Sequence, residues 1–362
     1  EAGRRDQDRA DTLMLALRRR RNRQPESLAG LVVVITGGSR GLGLVMAREY
    51  AARGCRLVIC ARDEAELERA REDLLRRGAE VLAIPCDVGD RDDVLRLIAA
   101  AIEGYGRVDI LVNNAGIIQI APLDNLDLDD FEHAMSTMYW GVVYPTLAVL
   151  PSMRARGDGR IVNVTSIGGK VSVPHLLPYS SAKFAAVGFS EGLRAELAGT
   201  GISVTTVVPG LMRTGSHLNA LVGGRAPQEA SWFSLGASLP GITISAEHAA
   251  RAVVDASLRR QPIAVLGLPA RGIMWLHGLF PGLTTRLFGL VNRAVLPDPA
   301  EGNVHRLMTG RDAIAQSPIP MIDRLTAMGT AAAKRNNQHP GPDPALRPRD
   351  FDRSFEGRRE RV

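Results

Sequence analysis

Three side chains suited to proton and hydride chemistry lie in one stretch, residues 161–183. A β-branched apolar run ends at Ser166, and a helix is predicted after Pro178, so Tyr179 and Lys183, four residues apart, share a helix face. A phenol needs a neighbouring cation for acid-base work near neutral pH, and Lys183 supplies one. Tyr179 would then protonate a carbonyl oxygen as hydride reaches the carbon, while Ser166 orients that oxygen. Without other motifs, a tyrosine and a lysine at this spacing are more often a tyrosine at a helix start and an exposed lysine one turn later.

The surrounding elements decide between these interpretations. Leu31–Ile35 is a continuous apolar run, typical of a strand buried on both faces of a parallel sheet. Helical patterns separate it from further apolar runs, predicted as strands at Arg56–Cys60, Val81–Ile84, Val108–Val112 and Ile263–Leu266. This alternation predicts an α/β fold, a doubly wound parallel sheet of Rossmann-like type, whose ligands bind where the strands end.

A glycine-rich turn joins the first strand to the first helix. Gly37, Gly41 and Gly43 permit a tight turn and close backbone approach, so amides at the helix start can meet a pyrophosphate. The position between a strand and a helix makes the signal more specific than the glycines alone.

Composition limits the other classes of function. The formal charge is +6, but residues 1–23 carry +4 and residues 334–362 carry +3, which leaves −1 for the rest. The basic charge therefore lies in the tails, and no nucleic-acid groove is predicted. The three cysteines have no metal-ligand spacing and are expected to be free thiols in a reducing compartment, so we expect a cytoplasmic protein. No metal site is predicted.

The chain resembles the short-chain dehydrogenase/reductase family. The resemblance covers about residues 28–267 and is carried by TGGSRGLG at 36–43, NNAG at 113–116, Ser166, YSSAK at 179–183, and Pro209-Gly210 followed by Thr214. It implies strand order 3-2-1-4-5-6-7 and interconversion of a carbonyl and a secondary alcohol with a nicotinamide cofactor. Ser166, Tyr179 and Lys183 would be the catalytic residues.

The resemblance also implies a set of cofactor-binding residues. These are Thr36, Gly37, Ser39, Arg40, Gly41, Leu42, Gly43, Arg62, Asp87, Val88, Asn113, Ala115, Gly116, Tyr179, Lys183, Pro209, Gly210 and Thr214. Two alternatives stay open within this set. Asp87 could be a turn residue, and Asn113 could simply brace the sheet.

NADP(H) is the expected cofactor. NAD-preferring members of the family have an acid at the end of the second strand, but here Ala61 is followed by Arg62. Arg62 and Arg40 suit a 2′-phosphate, because guanidinium groups bind phosphate well. The alternative is that both arginines simply face water.

One position departs from the family. An asparagine that helps to hold a water near the lysine is replaced by Met138, which cannot hydrogen-bond in that way. The backbone carbonyl at 138, or the hydroxyl of Ser136 or Thr137, could substitute. A second hypothesis is therefore a catalytically weak NADP(H)-binding sensor.

Beyond the motifs, apolar segments suggest the substrate and a further surface. Residues 211–244 are expected to cover an apolar substrate such as a sterol, retinoid or acyl chain, or to pack on their own fold. Residues 271–296 carry an apolar stripe at helical spacing, to be covered by the same fold, by a second subunit or by one membrane leaflet. A homo-oligomer, peripheral membrane contact and a membrane-surface interaction protein thus stay open.

The expected organisation is a single domain with extensions at both ends. It comprises a basic arm at 1–27, the Rossmann-like domain at 28–267, an apolar C-terminal extension at 268–330 and a disordered basic tail at 331–362.

Overall fold

The computed structural model describes residues 27–239, 241–301, 307–319, 322 and 326–338. Seven strands form the central sheet: β1 (Val32–Thr36), β2 (Arg56–Ala61), β3 (Val81–Pro85), β4 (Ile110–Asn113), β5 (Gly159–Val164), β6 (Ile202–Pro209) and β7 (Ile263–Leu266). All neighbouring pairs are parallel, in the order β3-β2-β1-β4-β5-β6-β7. The predicted fold class and strand order are confirmed.

Helices cover both faces of this sheet. They are α1 (Gly41–Ala51), α2 (Glu64–Arg76), α3 (Arg91–Tyr105), α4 (Leu128–Met135), α5 (Gly141–Arg156), α6 (Leu177–Glu196), α7 (Ala226–Ser238) and α8 (Ala246–Leu258). One apolar core packs α1, α2 and α8 against one face, and a second packs α3 and α5 against the other. Strands buried from both sides explain the continuous apolar runs of the sequence.

Local signals set where the helices begin. The Asp63 side chain accepts a hydrogen bond from the Glu66 N–H at 2.7 Å, which caps α2. Asp90 likewise caps α3 through the amides of Asp92 and Asp93. Such caps satisfy amides that have no partner inside the helix.

A small cap covers the edge at which the sheet strands end. Short strands at Gln119–Ile120, Leu221–Val222 and Met308–Thr309 form a three-stranded sheet, and Met212–Arg213 pairs with Ile244–Ser245. A third apolar cluster joins this cap to α7 and to α11 (Gly310–Ala315). The segment 211–244 therefore packs partly on its own fold, as one of the two alternatives predicted.

After β7 the chain forms a helical hairpin, α9 (Leu268–Leu279) and α10 (Pro281–Ala294). Only Ala270 of α9 and Thr284 of α10 are buried, so most of the apolar stripe is exposed rather than covered by the same fold. Within the part of the chain that the structure describes, none of the helices is long and apolar enough to cross a membrane.

The predicted boundary of the C-terminal tail needs correction. Helix α12 (Ala327–Arg335) crosses residue 331, and residues 336–338 follow it against the glycine-rich turn. Small alanines of α12 are buried, and this close packing explains why residues 331–338 are structured. Residues 1–26 and 339–362, which hold the predicted arm and most of the predicted tail, lie outside the described residues.

Candidate active site

The glycine-rich turn between β1 and α1 brings backbone close to backbone. Gly37 has φ +63°, and a Cβ on Gly43 would lie 2.0 Å from the Gly37 carbonyl oxygen. The Thr36 hydroxyl oxygen accepts hydrogen bonds from the N–H groups of Asn114 at 2.9 Å and Ala115 at 3.1 Å. A side chain at position 37 or 43 does not fit this turn, which is fixed directly to the exit of β4.

The three catalytic candidates meet at the same edge of the sheet. Ser166 follows the end of β5, while Tyr179 and Lys183 lie in the first two turns of α6. Tyr179 and Ser166 form a side-chain hydrogen bond. The Lys183 ammonium donates to the Val164 carbonyl at 3.1 Å and lies 6.0 Å from the centre of the Tyr179 ring.

Burial shapes the protonation of this group. Desolvation raises the pKa of Tyr179, and the hydrogen bond to Ser166 opposes that effect. Desolvation lowers the pKa of Lys183 from 10.5 to about 8. Near neutral pH, Tyr179 is therefore a protonated donor beside a lysine that is close to losing its charge. The expected lowering of the Tyr179 pKa by Lys183 is not found, because burial is the largest cause and the hydrogen bond to Ser166 is what opposes it.

A cavity of about 250 Å³ runs from the glycine-rich turn to the catalytic candidates. Most predicted cofactor-binding residues line it: Gly37, Ser39, Arg40, Gly41, Leu42, Gly43, Arg62, Asp87, Val88, Ala115, Gly116, Tyr179, Lys183 and Thr214. Five predicted site residues are not part of the lining: Thr36, Asn113, Ser166, Pro209 and Gly210. The lining thus combines the close backbone of the glycine-rich turn with the tyrosine and lysine of α6, the two kinds of contact that a dinucleotide needs.

Asn113 occupies the bracing position. It is buried, and its amide nitrogen donates to Asn163 Oδ1 at 2.8 Å and to Thr146 Oγ1 at 3.0 Å. Its neighbour Asn114 lines the cavity instead and donates to the carbonyl oxygens of Thr36 and Gly37. The structure thus favours the sheet-bracing alternative for Asn113.

Asp87 lines the cavity and also closes a turn. Its Oδ1 accepts a hydrogen bond from the Gly89 N–H at 2.9 Å. Both predicted interpretations of Asp87 are therefore compatible with its position.

The sequence reasoning missed a carboxylate in the cavity wall that also holds Arg40 and Arg62. Glu66 is buried at the cavity wall, accepts a hydrogen bond from the Ser39 hydroxyl, and pairs with Arg40 at 2.9 Å. Burial raises the pKa of Glu66, with Arg40 acting in the opposite direction. Arg62 lines the same region and forms no ion pair with another described residue. Arg62 is thus the guanidinium left available to a phosphate.

Met138 lies in a π-helical turn, Ser136–Trp140, between α4 and α5. It is fully buried and packs with Ala134 and Ala182 beside Tyr179. Its neighbour Thr137 lines the cavity and carries a hydroxyl. Of the two substitute hydroxyls predicted, only Thr137 is part of the cavity wall.

Two more polar residues in the wall come from outside the motifs, Asn219 and Gln338. No recognised pattern contains them. Gln338 lies in the stretch that composition assigned to a disordered tail.

Comparison with known proteins gives a consistent result. A family model described as short chain dehydrogenase matches residues 31–220. The chain is 36% identical over 277 residues to a dehydrogenase/reductase SDR family protein 7-like from Anopheles gambiae, covering 75% of this chain and 86% of that protein. It is 41% identical over 198 residues to a granaticin polyketide synthase putative ketoacyl reductase of Streptomyces violaceoruber, covering 52% and 71%.

Solved structures show the same likeness. A Burkholderia phymatum short chain dehydrogenase/reductase in complex with NAD has a TM-score of 0.65 and 25% identity, covering 72% of this chain and 96% of that one. A variant actinorhodin polyketide ketoreductase with NADPH has a TM-score of 0.59 and 32% identity, covering 66% and 95%. The motifs, the seven-stranded sheet and these matches together place the chain in the short-chain dehydrogenase/reductase family of oxidoreductases.

Proposed function

We propose that this oxidoreductase interconverts a carbonyl and a secondary alcohol on an apolar substrate, with NADP(H) as cofactor. One observation carries the proposal. Tyr179 and Lys183 line a cavity that also holds the glycine-rich turn, and Ser166 is hydrogen-bonded to Tyr179. This arrangement lets one cofactor reach both the turn and the tyrosine.

The residues present fit such a cofactor. Residues 37 and 43 must be glycine for the turn to pack as closely as it does, because a Cβ at either would lie within 3 Å of backbone atoms, and such a turn presents backbone amides to a phosphate. Thr214 and Lys183 line the end near the tyrosine, where they would hold the nicotinamide and its ribose. When bound, NADPH would supply the hydride.

The chain supplies the proton and the geometry. Tyr179, protonated near neutral pH because burial raises its pKa, donates its proton to the substrate oxygen during reduction. Ser166 holds the Tyr179 hydroxyl and orients the oxygen. In the oxidative direction Tyr179 must first lose its proton, so alcohol oxidation should increase as pH rises.

The preference for NADP(H) rests on charge. Ala61 leaves no carboxylate at the end of β2, and Arg62 lines the adenosine end of the cavity without a paired acid among the described residues. Glu66 lies nearby and pairs with Arg40, so the preference is expected to be moderate.

An apolar substrate is supported by the surroundings of Tyr179. The tyrosine packs against the cluster that contains Ile118, Val173 and Trp232. A second cavity of about 600 Å³ lies between α10 and the loop before Tyr179, with Val173 and Phe288 in its wall. The wall of this second cavity also holds Asp124, Arg293 and Asp298, so it is the cluster around Tyr179 that has the apolar character typical of sites for greasy ligands.

The test is turnover with Tyr179→Phe beside the native chain. NADPH oxidation over a panel of apolar ketones and aldehydes should be measurable for the native chain and should fall by at least about a hundredfold in the variant. Binding of NADPH, followed by its fluorescence, should persist in both. A native chain that binds NADPH but turns over no carbonyl or alcohol would contradict the enzyme proposal and favour the sensor hypothesis.

We further propose that the hairpin α9–α10 rests on an anionic membrane surface. Its exposed side chains include Trp275 at 67%, Leu279 at 66% and Leu290 at 62% exposure. Arg271, Arg286 and Arg293 are its charged residues, and no Asp or Glu occurs between Asp255 and Asp298. An apolar face with only positive charges suits anionic lipid. The thiols of Cys55, Cys60 and Cys86 are free, which suits the reducing, cytoplasmic side of such a membrane.

Vesicle binding tests this surface. A triple variant, Trp275→Ser with Leu279→Ser and Leu290→Ser, should bind vesicles containing phosphatidylglycerol at least about tenfold more weakly than the native chain. Leu128→Ser, which changes an exposed leucine elsewhere, is the control and should bind normally. Unchanged binding of the triple variant would contradict the proposal. If the triple variant instead loses a dimer seen by analytical ultracentrifugation, the hairpin is a subunit interface.

A further inference from the structure

The segment after α12 lies directly on the glycine-rich turn. The Asn336 carbonyl oxygen accepts a hydrogen bond from the Gly41 N–H at 2.9 Å. The Asn337 side-chain amide donates to the carbonyl oxygens of Ser39 and Glu66, each at 2.9 Å. About three hundred residues along the chain separate these partners, so the contacts are tertiary and hold the segment on the first βα unit.

Gln338 extends from this segment into the cavity. It is 5% exposed and forms part of the cavity wall. Its Oε1 accepts a hydrogen bond from the Asn219 side-chain amide at 3.2 Å. A Cβ built on Gly41 would lie 2.2 Å from Gln338 Nε2. The donor end of the glutamine amide therefore faces the first residue of α1, while its acceptor end is already occupied.

Arginines and backbone contacts fix the segment in this position. Arg48 donates to the Arg335 carbonyl at 3.1 Å, and Arg311 donates to the Gln338 carbonyl at 3.3 Å. The Gln338 N–H donates to the Ala333 carbonyl at 2.9 Å. Because the Gln338 backbone and its Oε1 are both held, the side chain would lose little conformational entropy when a ligand binds. Its Nε2 is therefore preorganised to donate.

We infer that Gln338 binds the phosphate groups of the dinucleotide, so that residues 335–338 complete the cofactor site. The inference rests on the proposed NADP(H) site, but not on the identity of the substrate. The start of α1 favours an anion through its helix dipole and through those of its first amides that do not donate to Asn336. The Asn336 carbonyl uses the Gly41 amide, and the Gln338 amide adds a donor at the same place. Its two N–H groups suit phosphate oxygens, which accept strong hydrogen bonds.

A Gln338 that blocks the site would affect cofactor binding in the opposite direction to a Gln338 that binds the cofactor. If Gln338 occupied the place of the phosphate, its removal would open the site and tighten cofactor binding. A ligand role requires that removal weakens binding, because a donor to a charged acceptor is lost.

The experiment measures the Kd of NADPH and NADH by calorimetry on full-length chains. Gln338→Ala should weaken both cofactors about tenfold, the usual loss for one hydrogen bond to a charged group. Gln338→Glu keeps the side-chain size but places a carboxylate at the phosphate, so it should weaken them further. Gln316→Ala and Gln316→Glu are the matched controls, because Gln316 is exposed and its side chain donates to the Asp312 carbonyl of its own turn. These controls should bind as the native chain does.

Thermal unfolding without cofactor separates a binding effect from a folding defect. Gln338→Glu should unfold near the native temperature, while the stabilisation that NADPH adds should shrink. Native Kd values in both Gln338 variants, or tighter binding, would overturn the inference and leave the proposed function intact. If the native chain itself binds neither dinucleotide, the proposed function and this inference fail together.

Discussion

Replacing Lys183 by methionine should stabilise the fold near neutral pH while it removes activity. Lys183 is 5% exposed, and the hydrogen bond to the Val164 carbonyl compensates only part of its desolvation. Desolvation lowers its pKa from 10.5 to about 8. Because one pH unit of displacement corresponds to about 1.4 kcal/mol, the charged form costs the folded state about 3 kcal/mol. Loss of the hydrogen bond to Val164 destabilises the variant by about 1 kcal/mol. The free energy of unfolding of Lys183→Met should therefore exceed that of the native chain by about 2 kcal/mol near pH 7.

The change of folding stability with pH should differ between the native chain and the methionine variant in a direction that can be checked. The folded pKa lies below the unfolded one, so the unfolded chain holds more protons between about pH 8 and 10.5. Native stability therefore rises with pH across this window as the penalty on Lys183 disappears. The methionine variant lacks that rise, so its advantage should shrink to near zero at about pH 10.

Urea unfolding of both chains, followed by circular dichroism at the two pH values, measures the difference. Lys170→Met is the control, because Lys170 forms an ion pair with Glu191 at the surface and its replacement should give no gain at either pH. Turnover of Lys183→Met should fall at least about a hundredfold. A variant that is less stable than the native chain at both pH values would refute the reasoning, since burial would then impose no net cost on the charge.

Two further predictions concern cofactor choice and the proton path. Glu66→Gln removes the carboxylate that pairs with Arg40, so NADPH binding should tighten several-fold relative to NADH in parallel titrations. An unchanged ratio of the two Kd values would show that Arg40 does not meet the 2′-phosphate. Thr137→Val removes the hydroxyl in the cavity wall beside Met138, and it should lower kcat several-fold without changing the Kd of NADPH. Met138→Asn restores the usual family residue. An increase of kcat above the native value would show that the lack of this asparagine limits proton transfer in the native chain.

The sheet and the grouping of Ser166, Tyr179 and Lys183 at its edge were predictable because their signals are strong and local. Strands buried on both faces must be continuously apolar, and a helix that follows such a strand requires a turn whose glycines are readable. Asn113 and Asn114 show the limit of this reasoning. Adjacent residues at a strand end point to opposite sides, and a strand buried on both faces carries no alternation to tell which side meets the ligand. Only the packed structure assigns Asn113 to the sheet and Asn114 to the cavity.

Glu66 was missed for a different reason. As a member of a charged helix it resembles any solvent-facing glutamate, and only its contacts with Ser39 and Arg40 reveal a buried carboxylate. Those contacts depend on where β1 and β2 lie side by side, a pairing that single-residue patterns do not encode. Charge at the proposed cofactor site thus depends in part on a residue outside every recognised motif.

The C-terminal segment packs through small residues, which a secondary-structure prediction based on apolar periodicity does not detect. Helix α12 packs through alanines, and a Cβ on Gly215 would lie only 2.4 Å from the Ala333 Cβ, so the two backbones meet closely. Such contacts add little to a hydrophobic stripe, yet close packing fixes position as firmly as large side chains do. Because α12 is held at this distance, Asn336 and Gln338 arrive at the glycine-rich turn rather than in solvent. The position of the proposed phosphate ligand therefore depends on a glycine–alanine contact more than a hundred residues apart in sequence, which composition alone had no means to indicate.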